Sequence, residues 1–91
     1  MMRFEPGRVT YTSGALVAFS KVQAIEPTMA MRRHLCGDWG DVDGHHKRAN
    51  DLALRTGDRL LSVFHLSTGV KFYIVTEADR SATTYLLPDE Y

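Results

Sequence analysis

The stretch RLLSVFHLSTGVKFYIVTEADRSATTYLLP, residues 59–88, decides the fold, because at Arg59 the hydrophobic period changes to two. Three runs, RLLSVFHL, VKFYIVT and SATTYLLP, are rich in valine, isoleucine, threonine and aromatic residues, and the short polar links STG and EADR join them. Such side chains suit a pleated surface, so the segment predicts a three-stranded antiparallel meander. In the middle run Val70, Phe72, Ile74 and Thr76 share one face, while Lys71, Tyr73 and Val75 share the other. In the first run Leu60, Phe64 and Leu66 oppose Leu61, Val63 and His65. Both faces are fairly apolar, which places helices over one and leaves the other partly covered or open to a partner. Pro88 cannot donate to a ladder and ends the last strand, leaving DEY as a short acidic tail.

Before residue 59 the period is helical. HHKRANDLALRTG sets Ala49, Leu52, Ala53 and Thr56 on one stripe, with Asp41 or Asp43 as caps and Gly57 as the stop. PTMAMRRHLC reads as a helix from Pro27 to near Cys36, with Thr28, Met31 and Leu35 on one face and Gly37 as a left-handed cap. Earlier still, Leu16, Phe19 and Val22 predict a first helix over 14–24, capped by Thr12 or Ser13. RVTYT, residues 8–12, alternates like a short strand after a Pro6-Gly7 turn and could add a fourth strand. The expected fold class is therefore α+β, with N-terminal helices packed on a C-terminal antiparallel β-sheet of three strands, or four with RVTYT. A length of 91 residues fits one small domain, residues 1–91.

Eleven basic and eleven acidic side chains cancel, so no global field attracts a polyanion and generic nucleic-acid binding loses its usual support. No apolar run approaches the roughly 20 residues needed to span a bilayer, and MMRFEPGRVTY lacks the apolar centre of a secretory signal. One cysteine, Cys36, excludes an internal disulfide and fits a reducing compartment, so the expected location is the cytoplasm.

The densest motif is LCGDWGDVDGHH, residues 35–46. Only His34, Cys36, His45 and His46 could begin a zinc site, and adjacent histidines on a helix point about 100 degrees apart. Asp38, Asp41 and Asp43 superficially resemble a calcium loop, but its terminal bidentate glutamate is missing. The segment reads as helix connection and capping, with Trp39 plugging the edge of the core. No metal or other cofactor is expected. TEADRSATT gathers Thr76, Glu77, Asp79, Arg80, Ser81, Thr83 and Thr84 near a hairpin tip, where they could face a phosphate or a protein. A triad of Ser62, His65 and Asp79 lacks the strand-to-helix elbow that would support it. No catalytic residue is assigned; the candidate binding residues are Trp39, Glu77, Asp79, Arg80 and Thr84.

GDWGDV (37–42), NDLALRTG (50–57), RLLSVF (59–64) and GVKFYIVTEADRSATTYLLPDEY (69–91) together resemble a family of small uncharacterised bacterial proteins associated with plasmids and integrative elements. Some members are labelled plasmid-related protein or restriction-modification subunit, although 91 residues hold neither a methyltransferase domain nor its glycine-rich motif. The resemblance implies a mobile-element setting; with no catalytic constellation, and with a partly apolar sheet face, an acidic tail and the EADR tip on offer, the expectation is a non-enzymatic accessory protein that binds another macromolecule, with a protein partner expected. Inhibition or modulation of a host defence system is one form of it. The alternative is a small RelE-like or barnase-like ribonuclease, for which Arg59, His65, Tyr73, Arg80, Thr84 and Tyr85 would have to converge.

Overall fold

In the computed structural model, which describes residues 1–91, the period change at Arg59 is the boundary between helical and β structure. Strand β1 (Arg8–Tyr11) leads into helices α1 (Ser13–Phe19), α2 (Ile25–Leu35) and α3 (Gly44–Thr56). Strands β2 (Leu60–His65), β3 (Lys71–Thr76) and β4 (Ala82–Leu86) follow, and Pro88–Glu90 forms a single 3-10 turn. The chain is thus an α+β fold, with three helices and a four-stranded sheet in the order β1-β4-β3-β2.

The meander is antiparallel as predicted, with Leu60 opposite Thr76 and Thr76 opposite Thr83. RVTY does add a fourth strand, but it runs parallel to β4, pairing Val9 with Thr83 and Tyr11 with Tyr85, so the sheet is mixed. Alternation is the same in either direction, and the sequence pattern carried no information on that choice.

The helix ends differ from expectation for local reasons. Thr12 caps α1, its hydroxyl accepting from the Ala15 N–H, but the helix stops at Phe19, where the Ser20 hydroxyl donates to the Val17 carbonyl. Helix α2 begins two residues before Pro27, which still lies in the first turn and so removes no intrahelical bond. Asp43 caps α3 by accepting from the His46 N–H, and Gly57 ends it with a φ of 78°, as read.

Alternation then places the core. Phe64, Phe72, Ile74 and Tyr85 meet Ala15 and Ala30 between the sheet and the helices. A second cluster joins Leu60, Ala53 and Trp39, with Phe4 and Val42 packed against it. Phe72 and Ile74 are essentially sealed from solvent. Phe72→Ala or Ile74→Ala is therefore expected to lower unfolding free energy by about 2–5 kcal/mol, read by urea titration; wild-type midpoints for both would reverse the facing of β3.

Through this apolar layer runs one polar thread. His34 Nδ1 lies 2.5 Å from the Ser62 hydroxyl and Nε2 lies 2.8 Å from that of Thr76. Thr76 is 2.7 Å from Thr83, whose hydroxyl donates to the Pro6 carbonyl at 2.7 Å. That carbonyl only accepts, so it fixes every proton upstream. Thr83 must accept from Thr76, Thr76 must accept from Nε2–H, and Nδ1 must accept from Ser62. All four side chains are fully buried and none is left unpaired.

Candidate partner-binding face

The sheet face turned away from the core carries Leu61, Val63 and His65 from β2, Tyr73 and Val75 from β3, and Thr84 and Leu86 from β4. Tyr91 lies over its middle. Its ring meets Tyr73 edge-on at 5.8 Å, and its hydroxyl accepts from Arg59 at 3.3 Å. Arg59 also pairs with Glu77 at 3.2 Å. Two hollows flank this ridge: one is lined by Val42, Leu61, Val63 and Tyr73 with Asp43 and His46 at its margin, the other by Val75, Thr84 and Leu86 with Arg59, Glu77 and Glu90. Tyr91 is 60% exposed, while Tyr73 beneath it is partly buried. An apolar and aromatic centre bordered by charges is the composition that protein interfaces favour.

The supposed acidic tail is partly anchored. Glu90 accepts from the Thr12 hydroxyl at 2.6 Å, the Leu87 N–H at 2.8 Å and the Gly14 N–H at 3.0 Å. These bonds, that of Thr12 foremost, hold its carboxyl below the usual carboxylate range. A carboxylate at the start of α1 also answers the unpaired N–H groups there.

Of the five candidate binding residues, only Glu77 and Thr84 meet on this face. Trp39 is 3% exposed; its indole N–H donates to Asp51 at 2.9 Å and its ring stacks on Phe4, so it belongs to the core. Asp79 accepts from the Ser81 N–H at 3.0 Å and shapes the turn. Arg80 points inward as a clamp. Its guanidinium donates to the carbonyls of Asp58, Glu77, Ala78 and Ala53 at 2.6–3.1 Å, joining the β3–β4 turn to the end of α3. A φ of 62° is costly for a residue with a Cβ, by about 1–2 kcal/mol, and these charged bonds offset it.

A second polar group occupies a cleft between α2 and β2. His65 Nδ1 lies 2.9 Å from the Asp41 carboxylate, which orients the imidazole in the cleft. Arg33 lines the same cleft, above the Phe64 ring at 4.8 Å, but its guanidinium is held by Asp38 at 2.8 Å. Local sequence offers Asp41 only roles within its own loop, as a cap, a turn residue or a calcium-loop oxygen, and its distance in sequence from His65 hides the pair. His34, considered only as a ligand, has both ring nitrogens engaged in the core, while His46 Nδ1 bonds its own cap, Asp43. No group of three or more His, Cys, Asp or Glu residues is placed to hold a metal ion, and no helix is long and apolar enough to cross a membrane.

No protein-family model matches the chain, and no curated protein or solved structure matches it either.

Proposed function

We propose that the protein is a cytoplasmic, non-enzymatic accessory factor of a mobile element that works by binding a protein partner across the Tyr73–Tyr91 ridge. The observation that carries the binding role is that ridge, an exposed Tyr91 packed edge-on against a partly buried Tyr73, between apolar hollows with Arg59, Glu77 and Glu90 at the margin. Tyrosine and arginine are the residues on which binding energy concentrates, and they need a neighbouring apolar surface that excludes water. The mobile-element setting rests on the sequence resemblance alone, and inhibition of a host defence system is one form of such binding.

The test is capture of a partner from host lysate, followed by reconstitution with that purified partner. Tyr91→Ala should weaken binding at least tenfold without moving the melting temperature, whereas Leu52→Ser, at an exposed site on α3, should bind as wild type does. Recovery of the protein alone, or equal binding by Tyr91→Ala, would overturn the reading.

The His65–Asp41 pair supports a second reading, the ribonuclease. Against it, Arg59 and His65 stand at opposite ends of β2, roughly 20 Å apart at about 3.3 Å per residue. Arg80 is spent on carbonyls, and Tyr85 faces the core, donating to the Pro27 carbonyl at 2.7 Å. The expected result is that purified protein leaves RNA intact. Cleavage abolished by His65→Ala, with melting unchanged, would put the ribonuclease first.

A further inference from the structure

The two edges of the sheet are treated differently. Along β2 the outer backbone groups are occupied: the Asn50 amide donates to the Leu61 carbonyl and accepts from its N–H, at 2.7 and 3.1 Å. Val63 donates to the Trp39 carbonyl and accepts from the Asp41 N–H, at 3.0 and 2.8 Å. Strand β1, at the other edge, has no such cover. Arg8 and Thr12 donate inward to the Ser81 and Tyr85 carbonyls, so alternation turns the N–H and C=O groups of Val9 and Tyr11 outward. Val9 and Tyr11 are also 39% and 47% exposed. An open, apolar edge of this kind is a template for another strand.

We infer that β1 pairs antiparallel with β1 of a second copy of the chain, joining the two sheets across a twofold axis at Thr10. The symmetry of the outward groups points to that occupant. A twofold axis normal to the sheet keeps helices on one side and sets Thr10 opposite Thr10, Val9 opposite Tyr11 and Arg8 opposite Thr12 of the second copy. In that register the outward residues, Val9 and Tyr11, fall in the hydrogen-bonded positions, where each exchanges both bonds with the other. Their apolar side chains become cross-strand neighbours on the helix side. Leu16 and Val17 of α1, 54% and 59% exposed, lie in the same helix layer.

Charge completes the match at both ends. Arg8 is exposed and makes no ion pair within the chain. It would stand opposite Thr12, the residue whose hydroxyl donates to the Glu90 carboxylate, and Glu90 likewise has no cationic partner. Each copy thus offers the other one unpaired cation and one unpaired anion, in the same register that pairs the backbones. The dimer contact shares Glu90 with the margin of the ridge but uses neither Tyr73 nor Tyr91, and Val9→Pro and the β1 amides test it separately from the proposed partner-binding role.

Sedimentation velocity of the full chain tests it. A short edge pairing falls among small interfaces, so a concentration-dependent dimer dissociating on the order of micromolar is expected. Val9→Pro removes only an outward N–H, which an edge strand tolerates, and should yield monomer with unchanged melting. Arg8→Glu, at an exposed site, should weaken dimerisation at least tenfold even if the proline variant is poorly folded. Hydrogen exchange locates the contact: the Val9 and Tyr11 amides should slow as concentration rises, while that of Thr10 stays protected throughout. A monomer at several hundred micromolar, or a dimer indifferent to Arg8→Glu with fast Val9 and Tyr11 amides, overturns the inference.

Discussion

Gly40→Ala is expected to lose about 4 kcal/mol or more of stability, enough to leave a domain of this size largely unfolded at 37 °C. Gly40 has a φ of 71°, and a Cβ built there would lie 2.0 Å from the Val63 carbonyl oxygen and 2.9 Å from the Phe64 ring. Neither neighbour is free to give: the carbonyl belongs to β2 and the ring to the core. The segment would have to leave the edge of β2, breaking the bonds that Val63 makes to Trp39 and Asp41 at about 1 kcal/mol each. Trp39 would be drawn from its contacts with Phe4 and His34, forfeiting part of a large buried ring. Gly57 supplies the control, since its φ is 78° but nothing lies within 4 Å of a Cβ there. Gly57→Ala should thus cost only the left-handed backbone, about 1–2 kcal/mol. Urea unfolding of both variants, with the near-ultraviolet signal of Trp39 as a local probe, separates clash from backbone strain. Equal losses would mean that the Trp39–Asp41 segment is not packed on β2.

The same segment marks the border of what the sequence could convey. Its caps and turns were legible because they are local: Asp43 bonds a residue three positions on, and Gly57 follows the last helical residue. Burial of Trp39 could be read too, since an indole left in water forfeits too much. The close approach of Gly40 to Val63 could not, because it joins two segments whose spacing shows no pattern. Arg80 makes the point more sharply. In a turn between two strands an Asp-Arg pair reads as a surface feature, yet the acceptors of this arginine include Ala53 and Asp58, which only the fold brings beside it. Alternation predicts a second, only partly covered sheet face, whereas Glu77 and Thr84 read from sequence as hairpin-tip residues and are brought to that face by the fold; the Tyr73–Tyr91 ridge at its centre needs the return of the chain after Pro88.

The buried thread through His34 left a trace that could have been followed. Alternation puts Ser62 between Leu60 and Phe64, and Thr76 beyond Phe72 and Ile74, on the face assigned to the core. Hydroxyls in such places need partners, and His34 is the polar residue on a helix that answers them. Burial, with the nearby charge of Arg80 adding to it, pushes the imidazole pKa from 6.5 down to about 3. The unfolded chain then takes up a proton near pH 6.5 that the folded chain refuses until about pH 3. Across that window the unfolded state holds more protons, so stability falls as pH falls. The slope should approach 1.4 kcal/mol per unit, reaching a loss on the order of 5 kcal/mol by pH 3. The carboxylates held low by hydrogen bonds, among them Asp38, Asp51 and Glu90, add their losses as the pH falls below about 5. Between about pH 6.5 and 5 the histidine therefore acts largely in isolation from them. His34→Gln offers an acceptor to Ser62 and a donor to Thr76 without a titrating ring. It should lower stability at pH 7 yet remove most of the slope above about pH 5. Urea midpoints measured at half-unit steps would show this, and equal slopes for the two proteins would place the acid sensitivity elsewhere than in the His34 thread.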